Sequence, residues 1–200
     1  MASSTHESSD VRDGILAVGQ RIMASKGFSG VGINEILTTA SVPKGSFYHY
    51  FASKDAFGQA LLTTYFDQYL AEMDRTLGRT GSSNAQRLLA YFGDWRDGQS
   101  HQDCQGKCLA VKLGAEVADL SETMRTAMQL GTSGIVARLA RAIQAGQADR
   151  SLTVDADPAE LAESLYQLWM GASVLAKVAR NAQPFDVAMA TTRRLLQLPG

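Results

Sequence analysis

Two hundred residues with 45% hydrophobic and 20% charged side chains make an ordinary globular chain, long enough to bury a sizeable core. The net charge of −1 neither marks nor excludes a nucleic-acid partner: residues 1–60 balance Arg12, Arg21, Lys26, Lys44 and Lys54 against Glu7, Asp10, Asp13, Glu35 and Asp55, so any such surface must come from placement. The longest uncharged run, Ser164 to Ala176, falls short of the roughly 18 residues of a membrane span, and the only two cysteines, Cys104 and Cys108, are too close to staple a fold.

The opening "MASSTHESSD" has no apolar run and predicts a disordered tail over residues 1–9 rather than a secretion signal, which together with the free thiols points to the cytoplasm. Val11, Ile15, Val18 and Ile22 then form the stripe of a first helix that Gly27 stops, with Phe28 folding back beyond it. A second, barely two turns long, carries Ile33, Ile36, Leu37 and Ala40 at helical spacing. "SVP" leaves room only for a sharp turn, and Pro43 suits a helix start because its missing N–H would have no partner there.

The third helix, "KGSFYHYF", divides its bulky residues between two faces. Phe47, Tyr50 and Phe51 fall on the side that packs inward, whereas Lys44, Gly45, Ser46, Tyr48 and His49 point outward. Ser53 caps a fourth helix that has Asp55 in its first turn and runs through Leu61, Leu62, Tyr65, Tyr69 and Met73 to "GRTGSSN". Further helices are predicted at about 85–98, 107–118, 121–147, 158–181 and 184–197, the last two set off by Asp157-Pro158 and Gln183-Pro184. The fold class is all-α.

Two short helices joined by a tight turn, with exposed donors on the second, have the geometry that enters a DNA major groove. Lys44, Ser46 and His49 can reach base edges or phosphates, Gly45 lets the backbone approach, and the Tyr48 hydroxyl suits a phosphate. Lys54, at the start of the fourth helix, would hold a second phosphate with the helix N-terminus. Asn34 of the second helix is taken with them as a DNA contact.

At "GSFYHYF" and the following "SK" helix start the chain resembles the TetR family of bacterial one-component repressors, over residues 10–66. The resemblance implies a helix-turn-helix three-helix DNA-binding domain at 10–56 and a larger helical ligand-binding and dimerisation domain at 57–200. It also implies a homodimer through the last two helices, a pseudo-palindromic double-stranded operator and a small-molecule inducer. The tail lacks the arginine-rich arm that some members use in the minor groove. The glycines of "GFSGVG" follow a helix and not a strand, so they are no phosphate loop, and no cofactor is expected.

Gly106 through Leu113 resembles the "GCL" segment of a TetR subgroup that responds to reactive electrophiles or small unsaturated acids, with Cys108 as the matching cysteine. Lys107 and Lys112 flank it at i−1 and i+4, and a nearby cation favours the reactive thiolate; a buried, inert thiol is the other reading. His101, Cys104 and Cys108 have a spacing that raises the question of a metal, but they are three ligands without a fourth, and Gly98 and Gly106 argue for a loop there; no metal is expected. Lys177 closes the uncharged run, either snorkelling to solvent or entering an apolar pocket, and Lys112 or Lys177 could serve as counter-charge for a reversibly bound acid. Trp95, Tyr91, Tyr166 and Trp169 are the aromatics best able to line a pocket, though such residues more often fill a core. The competing classes are a thiol-dependent enzyme acting on electrophiles through Cys108, which would need a base, and a dimerisation adaptor without DNA.

Overall fold

The computed structural model describes residues 3–104 and 108–198, with the side chains of 10–99 and 108–198. All the regular elements described are helical: α1 Ser3–Lys26, α2 Ile33–Ala40, α3 Lys44–Tyr50, α4 Lys54–Leu77, α5 Asn84–Cys104, α6 Leu109–Leu120, α7 Glu122–Ala148, α8 Pro158–Ala179 and α9 Gln183–Leu195. None is long and apolar enough to cross a membrane.

Local chemistry places most of the boundaries. Gly27 ends α1 at φ +83°, a left-handed conformation that a side chain would disfavour, and its N–H still reaches the Met23 carbonyl at 2.9 Å. The Ser53 hydroxyl accepts the Ala56 N–H at the head of α4, and the Asp157 carboxylate accepts those of Ala159 and Glu160 at the head of α8.

Two expectations need correcting. Helix α1 begins at Ser3, inside the stretch predicted to be a disordered tail, because a polar segment without Pro or Gly can extend a helix already nucleated on Ile15 and Leu16. Helix α5 runs through Gly98 to Cys104, where a loop was expected; its two interior glycines, Gly93 and Gly98, each weaken a helix by about 1 kcal/mol without breaking it.

The chain forms two compact units, Met1–Phe66 with Lys107–Gly131, and Asp67–Gly106 with Thr132–Gly200. The first unit therefore takes in more than the three N-terminal helices, because α6 returns to pack on α1. Its centre is aromatic: Phe47 is fully buried, with the Phe51 and Phe57 rings 5.2 and 5.4 Å away. Burying each such side chain stabilises the fold by about 1.5–3 kcal/mol.

In the second unit Trp169 is fully buried, stacked between Phe92 at 4.9 Å and Phe185 at 6.0 Å, and its indole N–H donates to Thr192 Oγ1 at 2.9 Å. Ser173 is the polar hub beside it. Its Oγ accepts from Trp95 Nε1 and Gln99 Nε2 and donates to the Trp169 carbonyl, so a buried hydroxyl is fully used.

Asp149 ties the end of α7 to the start of α5 within the second unit. Its carboxylate accepts from the Ser151 N–H at 2.9 Å and from Asn84 Nδ2 at 2.6 Å. Hydrogen bonds from Ser151, then from Asn84, bring its pKa down from the ordinary 3.8 to about 2. A carboxyl depressed on folding adds stability above its unfolded value, and that stability is lost as pH falls from about 4 through 2. Asp149→Asn should accordingly melt below wild type at pH 6, with the two melting temperatures converging towards pH 2; a gap independent of pH would contradict this role.

Candidate nucleic-acid interface and thiol site

The short α2 ends where Ser41 adopts the left-handed conformation, its N–H on the Thr38 carbonyl and that of Val42 on the Leu37 carbonyl. Pro43 stands one residue before α3 as its N-cap, with its carbonyl accepting the Ser46 N–H at 3.0 Å. This turn, with Phe47 and Phe51 buried below, fixes which face of α3 is presented. Lys44, Gly45, Tyr48 and His49 are exposed, Tyr48 by 50%, whereas Ser46 is half-buried. Asn34 is exposed on α2. The structure thus brings five of the seven expected DNA contacts onto the open surface of one helix pair.

Lys54 is placed differently from the expectation. It is half-buried, its ammonium donates to the Phe28 carbonyl at 2.8 Å, and it lies 4.5 Å from the centre of the Phe28 ring. One of its three protons is committed to the α1–α2 turn, leaving the others for a phosphate.

The same turn is held from its other side by a residue that sequence reasoning missed. Glu116 of α6 accepts the Phe28 N–H at 2.9 Å and the Ser29 N–H at 2.7 Å. Burial alone would raise its carboxyl, but the backbone N–H groups of Ser29 and Phe28, the Ser29 hydroxyl and the Lys112 charge outweigh it and hold the group below the usual range. Gly27 leaves room for the carboxylate, since a Cβ there would stand 2.9 Å from Oε2. No motif could have pointed to Glu116, because its partners lie 87 and 88 residues away.

Cys108 is the N-cap of α6 and is half-buried. The Tyr65 hydroxyl of α4 lies 3.7 Å from its sulfur, a donor that would stabilise a thiolate, and the positive end of α6 acts in the same sense. Lys112, one turn on, is half-buried and lends its charge to Glu116. Lys107 and the side chains of His101 and Cys104 lie outside the described residues, and so the expectation of no metal at His101, Cys104 and Cys108 lies outside them too.

Lys177 is half-buried on α8 in the second unit, whereas Cys108 and Lys112 belong to the first. Trp169 and Tyr166 are core residues, with Tyr166 set against Trp95 at 5.9 Å between ring centres. Trp95 alone of the three lines a described cavity, of about 170 Å³, together with Tyr69, Glu72, Met73, Thr76, Tyr91 and Asp94. Its charged residues are carboxylates, so it suits a hydrogen-bond donor better than a small acid. On the outer side of α8 and α9, Leu175 and Val187 are more than half exposed beside a cavity of about 380 Å³, and Val178 is exposed by 77%.

A paired helix unit with donors on its second helix, attached to a larger all-helical part, defines a DNA-binding regulator of the helix-turn-helix class. The chain belongs to the TetR family: residues 15–61 match the model of the bacterial regulatory proteins of that family, and residues 85–192 match the tetracyclin repressor-like C-terminal domain. It is 39% identical to the transcriptional repressor NemR of Escherichia coli, over 97% of this chain and 98% of the relative. The repressor DhaR of Mycobacterium sp. is 32% identical, over 88% of this chain and 87% of its own. The crystal structure of reduced E. coli NemR superposes with a TM-score of 0.90 at 41% identity, covering 96% of this chain and 99% of that one. Regulators of this family bind operator DNA and act as dimers.

Proposed function

We propose that this protein is a homodimeric repressor that binds a pseudo-palindromic operator through α3 and is released when an electrophile bonds to Cys108. The observation that carries the reading is Cys108 itself, at the head of α6, within hydrogen-bonding distance of Tyr65 and inside the same compact unit as the DNA-facing helices. The repressor names and the reduced form of the NemR structure agree with it. So does the exposed apolar face of α8 and α9, which suits the pairing of two copies.

The chemistry balances without a co-reactant. The Cys108 thiolate adds its electron pair to the β-carbon of an α,β-unsaturated carbonyl, the double-bond electrons move to the carbonyl oxygen, and the enolate takes a proton from water. One S–C bond forms and nothing leaves, so the reaction stops at one equivalent per chain. That stoichiometry separates a sensor from a thiol enzyme, which would keep consuming the electrophile. The reading places the protein in the cytoplasm, where a bacterial regulator meets its DNA.

Protection mapping on DNA flanking the protein's own gene tests the operator part. The expected footprint is two half-sites about 34–36 Å apart, one helical turn, or a multiple of it, because a symmetric dimer carries two copies of α3. A single unpaired site occupied tightly by monomer would contradict the dimer.

A further inference from the structure

We infer that Glu116 is a positioning residue that transmits the state of Cys108 to the DNA-binding helices, by clamping the α1–α2 turn from α6. The inference rests on Cys108 being the sensor.

The contacts form one continuous line within the first unit. Cys108 begins α6, and Glu116 follows eight residues later, about 12 Å along the axis at 1.5 Å per residue. Its carboxylate holds the N–H groups of Phe28 and Ser29, while Lys54 holds the Phe28 carbonyl from α4. The turn that leads into α2 is therefore gripped by an anion on its donors and a cation on its acceptor. Gly27 has no side chain to keep the carboxylate away.

Cys108 is half-buried with the Tyr65 hydroxyl 3.7 Å from its sulfur, so an adduct there presses on Tyr65 and on the start of α6. A helix carries an axial shift along its length, and a movement of about 1 Å stretches hydrogen bonds of 2.7 and 2.9 Å beyond useful range. Of the two charged side chains that grip the backbone of Phe28 and Ser29, only Lys54 then keeps its hold, and the register of α2 and α3 on DNA is less tightly fixed. A residue that merely supported the fold would weaken operator binding equally with and without the adduct. A transmitting residue changes the ratio between the two.

The test uses full-length protein in a Cys104→Ser background, alkylated with N-ethylmaleimide and checked by mass spectrometry for one adduct at Cys108. Alkylation is expected to lower operator affinity about 100-fold with Glu116 intact, within the usual range for coupled sites, and about 5-fold or less in Glu116→Ala, with Glu116→Gln between them. An unchanged ratio in both variants overturns the inference. If neither variant folds, amide exchange decides: Phe28 and Ser29 should exchange at least about 10-fold faster after alkylation of the Glu116 protein, and unchanged exchange overturns the inference. A Glu116 protein that carries the adduct and still binds operator fully refutes the sensor reading, and this one with it. Release of the Glu116 protein together with equal release of both variants refutes this one alone.

Discussion

Wild-type protein treated with N-ethylmaleimide is expected to leave its operator, with affinity falling about 100-fold, while Cys108→Ser similarly treated stays bound. Serine keeps the size of the side chain and a partner for the Tyr65 hydroxyl, so the variant should still bind DNA and change only in its response. An inducer shifts an equilibrium only by its differential affinity for the two states, and a covalent adduct supplies that difference as bulk where the thiol is already half enclosed. Cys104→Ser is expected to respond as wild type does. A gel shift over a range of electrophile concentrations measures all three proteins. Release of Cys108→Ser at the wild-type concentration would falsify covalent sensing at this residue. Sensing would then fall to a reversible ligand, for which the cavity edged by Glu72 and Asp94 offers acceptors rather than the lysine counter-charge that sequence reasoning suggested.

The helices were legible because their signals are local. Gly27, Ser53 and Asp157-Pro158 act within one turn of where they stand, and the inward Phe47 and Phe51 were separable from the outward Lys44, Tyr48 and His49 by helical spacing alone. What escaped depends on partners distant in sequence. Glu116 looked like any helix-surface carboxylate until α6 was seen against the α1–α2 turn, and Lys54 looked like a free phosphate ligand until Phe28 was found beneath it. Trp95, Tyr166 and Trp169 are alike in the sequence and all buried in the core, and only packing shows that Trp95 also edges a cavity. The helical start of α1 escaped for a different reason: composition reports whether a segment can stand alone, not whether a neighbouring helix can extend into it.

Replacing Lys44 and Tyr48 together by alanine should cost operator binding about 2–6 kcal/mol, from about 1–3 per contact, and leave helicity and dimerisation intact. Lys44 is exposed, so its loss removes charge and little packing. Tyr48 is half exposed with its ring edge-on to Phe47 at 5.4 Å, so Tyr48→Phe keeps that contact and isolates the hydroxyl. If either group contacts a phosphate, its loss weakens all sequences alike, and removing the Lys44 cation lowers the slope of log affinity against log salt by about 1. If Lys44 instead reads a base, the slope changes less and discrimination at one operator position relaxes. A double variant that binds like wild type would leave α3 without a role on DNA. Glu116→Ala makes the useful contrast, because it acts through the turn and should alter the response to alkylation rather than the salt slope. Measured together, the two kinds of variant distinguish the surface that meets the operator from the contacts that hold that surface in place.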